Sequence, residues 1–111
     1  MGLPDIKPLR RKRHDPLEST IEQKVCKYAE SLGYKQWKFT SPTRASVPDR
    51  ILLSPDGVVV FIEFKRKGKK PTPAQLKEHE DIAANNGLVF VADNVVVGKF
   101  IVFCFARGRR C

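Results

Sequence analysis

The sequence predicts an α/β domain whose mixed central sheet is flanked by helices, and three patterns carry that expectation. Apolar residues recur with a helical period near the start of the chain. Two β-rich runs then meet at a proline–glycine turn, and a capped helix leads from them into a short apolar strand.

The first helix rests on Ile21, Val25, Tyr28, Ala29 and Leu32, which form one stripe at spacings of three and four. Ser19 or Thr20 can cap its start, and Gly33 marks its end. Residues 34–41 alternate as a strand does, Pro42 stops them, and 42–48 read as a loop. Runs 50–53 and 58–64 flank Ser54-Pro55-Asp56-Gly57, a turn with proline second and glycine fourth, so the two runs form a hairpin. Residues 65–71 are a basic loop. Thr72-Pro73-Ala74-Gln75 opens the second helix with a threonine cap, proline in the first turn and glutamine at the capping-box position. That helix is expected to run to about Asn86, with Gly87 just beyond and a buried strand over 88–92. For 93–105 two readings stay open: the composition suits strands, yet Asp93 could cap a helix.

Lysine and arginine number 21 against 12 acids, a net charge of +9. That excess suits a nucleic-acid partner, although a basic solubility surface competes with it. Much of it sits at the ends. Residues 1–16, with three prolines and little to bury, are expected to be a flexible basic arm, and 107–111 a basic tail around Arg107, Arg109 and Arg110. The domain itself is placed at 17–106. No run of about eighteen apolar residues exists, so no membrane span is expected. No apolar stretch follows the basic start either, which argues against a secretory signal. Cys26, Cys104 and Cys111 are odd in number and far apart, without disulfide-framework or zinc spacing. A reducing, cytoplasmic setting is the expectation.

The chemistry gathers at the hairpin's ends. Pro48-Asp49 opens its first strand and Glu63-Phe64-Lys65 closes its second. In an antiparallel hairpin those ends lie side by side, so Asp49 and Glu63 converge. Lys65, two residues beyond Glu63, projects from the same strand face. Burying two carboxylates and an ammonium there is costly without compensation. A salt bridge on a solvated sheet face is one answer. A divalent cation is the other, since Mg²⁺ takes oxygen ligands, keeps waters and needs only one or two carboxylates beside a substrate phosphate. The context favours the cation: Phe61-Ile62-Glu63-Phe64 sets the acid in an apolar strand, and five of the six residues from Lys65 to Lys70 are basic. Lys65 could then stabilise charge on the attacked phosphate or orient the attacking water.

Pro48-Asp49, thirteen residues, then Glu63-Phe64-Lys65 resembles the signature of the PD-(D/E)XK nuclease superfamily. Val47-Pro48-Asp49-Arg50, the strand ending in Glu63-Phe64-Lys65, Gln75 after the basic loop, and Gly87 before Val89-Phe90-Val91 resemble a VRR-NUC domain across roughly residues 18–92. The resemblance implies a restriction-endonuclease-like αβββαβ core. It implies Asp49 and Glu63 as ligands of Mg²⁺ or Mn²⁺, the main-chain carbonyl of Phe64 as a further ligand, and Lys65 as the catalytic lysine. Glu22 holds the place of the first-helix glutamate that often completes such sites. Small stand-alone members resemble Holliday-junction resolvases, which act as dimers on paired strands.

Several residues carry two readings. Ser19-Thr20-Ile21-Glu22 has capping-box form, so Glu22 can cap its helix instead of joining the site, and Glu18 is its rival one turn earlier. Gln75 is a cap residue or a site residue. Lys38 can contact phosphate or stand solvated. Arg44 and Arg50 flank the Pro48-Asp49 turn and could hold a nucleic-acid backbone, with Arg50 also able to pair with Asp49. Lys67, Lys69 and Lys70 are the loop cations for phosphate. Trp37 is expected in a core or interface more than on a base. His14 and His79 lack metal-ligand spacing, which disfavours a histidine-metal nuclease.

The function expected is metal-dependent hydrolysis of DNA phosphodiesters by an endonuclease, selective for branched DNA such as four-way junctions and acting as a homodimer. The apolar segment 95–105 is the candidate interface. The alternative is a non-catalytic nucleic-acid-binding domain using the same loop and arms. That alternative leaves the Asp49–Glu63 pair without a purpose.

Overall fold

The computed structural model describes residues 17–39 and 46–106. The arm 1–16, the tail 107–111, Arg44 and most of the 42–48 loop lie outside the described residues.

Helix α1 (Glu18–Ser31) buries Ile21, Glu22, Val25, Cys26 and Ala29 along the expected stripe. Its start departs from expectation. Leu17 occupies the N-cap with no side-chain cap hydrogen bond, so the Ser19–Glu22 capping box does not form and Glu22 is left for other partners. Its end follows expectation. Gly33, at φ +94°, turns the chain so that its own N–H reaches the Glu30 carbonyl and Tyr34 N–H the Ala29 carbonyl, closing the helix in a Schellman motif.

Strand β1 (Lys35–Lys38) is shorter than the 34–41 run and forms the sheet edge. β2 (Arg50–Leu53) and β3 (Val59–Phe64) form the hairpin. At its turn Gly57 N–H donates to the Ser54 carbonyl at 2.9 Å, and Ser54 Oγ accepts from Asp56 N–H and Val58 N–H. β4 (Leu88–Ala92) runs parallel to β3, so the sheet is β1-β2-β3-β4, antiparallel except for its last pair. The crossover is α2 (Pro73–Ala84), whose Thr72 and Gln75 form the expected capping box. It stops two residues short of Asn86. Asn86, not Gly87, takes the left-handed turn at φ 64°. Gly87 answers a different need, since a Cβ there would lie 2.5 Å from Ile82 Cγ2.

The ambiguous segment is a helix, α3 (Val95–Phe105). Asn94 rather than Asp93 caps it, its side chain accepting from Val97 N–H at 2.9 Å. α3 packs against α1 and β4. Leu52, Val60, Ile62 and Phe64 point into the core these helices cover, together with Ile21, Val25, Ala29, Ile101 and Val102. Tyr34 Oη donates to the Val102 carbonyl at 2.7 Å and pins α3 to the entry of β1. The pleat sends Glu63 to the opposite face, where it meets α2. On that face Trp37, Phe39 and Val59 remain 42–49% exposed, so Trp37 is not a core residue.

Gly98 is where α3 touches α1: a Cβ there would fall 2.4 Å from Val25 Cγ2. Helix propensity alone makes Gly→Ala stabilising by about 0.5–1 kcal/mol. Here the clash should reverse the sign. Gly98→Ala is expected to destabilise the domain by about 1–3 kcal/mol in urea unfolding, the usual range for overpacking.

Candidate active site

The site lies at one end of the β2–β3 hairpin. Arg50 pairs with Ile62 in the antiparallel register, so Asp49 and Glu63 stand opposite each other one step further on. Glu63 is 2% exposed although it carries a carboxylate. Four groups surround it. Gln75 Nε2 donates to its Oε2 at 3.1 Å, Lys65 Nζ stands 3.9 Å from the same oxygen, and His79 Nε2 stands 3.9 Å from Oε1. Asp49, the fourth, acts through its charge and accepts a hydrogen bond from the main-chain N–H of Phe64.

Burial dominates the electrostatics here. It pushes the Glu63 carboxyl up to about 7; the neighbouring Asp49 charge adds to the rise, Lys65 opposes it and Glu18 adds a little. Asp49 is raised mainly by burial and then by Glu22, against the Phe64 N–H and the charges of Lys38 and Lys65. Burial also raises Glu18 and lowers His79. Both Glu18 and Glu22 are thus felt at the hairpin's end.

Three buried side-chain atoms have no hydrogen-bond partner among the described residues: Asp49 Oδ2, Glu63 Oε1 and His79 Nε2. Unpartnered buried carboxylate oxygens are costly and rare. Two of them at one spot suit a divalent cation, and Mg²⁺ needs only one or two protein carboxylates. No three His, Cys, Asp or Glu side chains among the described residues are grouped to cage a metal ion. The fit is therefore to a hard, water-retaining cation and not to a closed structural metal site.

A second layer adjoins the pair from α1. Glu22, 6% exposed, accepts through Oε2 from Arg50 Nε at 2.5 Å and from Lys38 Nζ at 3.3 Å. Arg50 Nη1 in turn donates to Gln36 Oε1 at 2.7 Å. The Arg50 side chain is only 19% exposed and reaches Glu22 instead of solvent, whereas that of Lys38 is 59% exposed. Beyond Lys65, the residues Lys67, Lys69 and Lys70 are exposed on the loop, which turns at Gly68 with φ +82°.

The structure thus brings Asp49, Glu63, Lys65, Gln75 and Glu22 to one end of the sheet, with Lys38 and Arg50 at its rim. Sequence reasoning passed over His79, testing it only for metal-ligand spacing. The available signal was its place one helical turn after Gln75. Gln36 was missed as well; it alternates with Trp37 on β1 and shares a face with Arg50.

A sheet of this order carrying Asp49 opposite a Glu63-Phe64-Lys65 strand end defines a nuclease domain of restriction-endonuclease-like fold. A solved "VRR_NUC domain" structure superposes with a TM-score of 0.73 over 79% of this chain and 96% of its own, at 28% identity. The "Putative nuclease p44" of Acyrthosiphon pisum secondary endosymbiont phage 1 is 40% identical over 77 residues, 69% of this chain and 83% of that protein. No protein-family model matches the chain. The chain belongs to the VRR-NUC nuclease domain family, and so to the phosphodiester hydrolases.

Glu63 sets a pH dependence whose sign is unusual for a carboxylate. Its folded pKa of about 7 lies above the ordinary 4.5, so the folded state binds the extra proton between them. Metal-free stability is then greatest below about pH 4.5 for this group and declines as pH rises towards 7. Glu63→Gln should remove that decline and stabilise the metal-free protein at pH 8 relative to wild type. Thermal melts in chelator at pH 5 and pH 8 check this; a wild-type slope retained by the variant would refute it.

Proposed function

We propose that this domain is a divalent-metal-dependent endonuclease that hydrolyses DNA phosphodiesters, with Asp49 and Glu63 as its cation ligands. The observation that carries the reading is the pair of buried oxygens, Asp49 Oδ2 and Glu63 Oε1, which have no hydrogen-bond partner among the described residues, at the strand end from which the lysine-rich loop leaves. The family supports nuclease chemistry, and the net charge of +9 supports a polyanionic substrate.

The main-chain carbonyl of Phe64, between Glu63 and Lys65, is the third ligand in this reading, and Glu22 closes the acidic cluster on the α1 side. Bound there, Mg²⁺ or Mn²⁺ would supply positive charge against the scissile phosphate and would lower the pKa of the attacking water. Lys65, 15% exposed and tethered beside Glu63, stabilises the charge that builds on the phosphate. Gln75 holds Glu63 through Oε2. Lys67, Lys69, Lys70 and Lys38 grip the DNA backbone, and Arg44, outside the described residues, is assigned the same role from its place in the sequence. Arg50 acts from beneath by fixing Glu22 and adding its charge to the rim. A purely DNA-binding domain could use the same lysines, but it gives the buried acid pair nothing to do.

We extend the reading to branched DNA, such as a four-way junction, cut by a homodimer whose two-fold axis places one site on each of two strands. Helix α3 supports the dimer. Its inner face joins the core, while Val96, Phe100 and Phe103 are 77%, 59% and 43% exposed along the other. Contiguous apolar exposure of that kind marks an interaction surface. Phe100→Glu should convert the dimer to monomer by light scattering and lose junction resolution while sparing nicking of linear duplex. A variant that stays dimeric would remove α3 from the interface.

The catalytic assignment is tested by separating chemistry from binding. Asp49→Asn should abolish cleavage in Mg²⁺ while DNA affinity holds or rises. Lys65→Ala should lower the single-turnover rate by about two or more orders of magnitude with little change in affinity, as loss of a transition-state donor does. The triple change Lys67→Ala, Lys69→Ala, Lys70→Ala should instead weaken binding and flatten its salt dependence, each lost phosphate contact removing a slope of about 0.9. Identical behaviour of the lysine variants would make Lys65 an ordinary member of a basic patch.

A further inference from the structure

Helix α2 presents two side chains to Glu63, and only one of them belongs to the site as described so far. Gln75 is fixed at both ends of its amide. Its Oε1 accepts from Thr72 N–H at 2.9 Å as part of the capping box, which aims the Nε2 donor at Glu63 Oε2. One turn later on the same face, the His79 side chain is 11% exposed and its Nε2 stands 3.9 Å from Glu63 Oε1. Neither of those two facing atoms has a hydrogen-bond partner among the described residues, and both are buried.

We infer that His79 is a positioning residue for Glu63: it holds the Oε1 side of the carboxylate while Gln75 holds the Oε2 side, so that Glu63 meets a divalent cation in one orientation. The inference rests on the metal-dependent reading above. Two facing, unpartnered buried polar atoms each carry a desolvation penalty, and closing a gap of less than about 1 Å satisfies both with a single Nε2–H···Oε1 hydrogen bond. A carboxylate oxygen has two lone pairs, so Oε1 can accept from His79 and still face a cation. An imidazole carries an N–H on at least one ring nitrogen, so Nε2 can be the donor. The role inferred for His79 is to hold Glu63 by a hydrogen bond and not to bind the cation itself. Ligating carboxylates are commonly held by such outer partners, and losing one typically costs about 10–100-fold in metal affinity.

The test is Mn²⁺ binding to the full chain without DNA, read from the free-ion signal in electron paramagnetic resonance, with thermal melts alongside. Three variants are compared with wild type. His79→Leu fills the space without a donor, His79→Gln places an amide N–H near the position of Nε2, and His79→Asn falls short of it. The expected result is an affinity loss of about 10–100-fold for His79→Leu and His79→Asn, with most of it regained by His79→Gln. If His79→Leu does not fold, the glutamine–asparagine difference decides alone. Equal affinities across the folded variants, or a glutamine variant as weak as asparagine, would overturn the role of His79. Wild-type protein that binds no Mn²⁺ would overturn the metal-dependent reading beneath it, and the inference with it.

Discussion

The burial of Glu63 beside Asp49 is the constraint around which the rest of the domain is arranged. An apolar strand places a carboxylate at 2% exposure, and the hairpin register sets a second acid directly opposite. Burial, and after it the like charge of Asp49, pushes the Glu63 carboxyl up to about 7. Lys65 lies 3.9 Å away, too far to cancel both. Such an arrangement makes physical sense when positive charge arrives from outside. A cation and a phosphate would supply and use that charge in one place, which is the basis of the proposed metal-dependent hydrolysis.

The surrounding structure serves that spot from both faces of the sheet. From α1, Glu22 is tied down by Arg50 and Lys38, and Arg50 by Gln36, so the rim of the site is cross-linked through β1, β2 and α1. From α2, the capping box orients Gln75, and His79 follows one turn on. The helix cap is thereby more than local punctuation, because the residue that starts α2 also holds the buried acid. Cap and site, alternatives in the sequence, are the same residue doing both.

Much of this was legible in the sequence because the signals were local. Proline and glycine placed the 54–57 turn, Thr72 and Gln75 placed the start of α2, and the hairpin's two ends brought Asp49 to Glu63. The elements left open depended on partners distant in the chain. Glu22 satisfies every local rule for a capping box, yet Arg50 and Lys38 hold its carboxylate. Residues 95–105 have strand composition, but the Asn94 cap and the close seat of Gly98 on Val25 make them a helix, tertiary packing overriding propensity. His79 went unread because metal-ligand spacing was the question asked of it, and its partner is a carboxylate on another element.

The central claim is that Asp49 and Glu63 bind a catalytic cation at the end of the hairpin. Crystals of the protein grown with Mn²⁺ and measured near the manganese absorption edge test it most directly. The account predicts an anomalous-scattering peak in contact with Asp49 Oδ2, Glu63 Oε1 and the Phe64 carbonyl. A structure with manganese seated elsewhere, or with Asp49 and Glu63 sharing a proton and no metal between them, would contradict it.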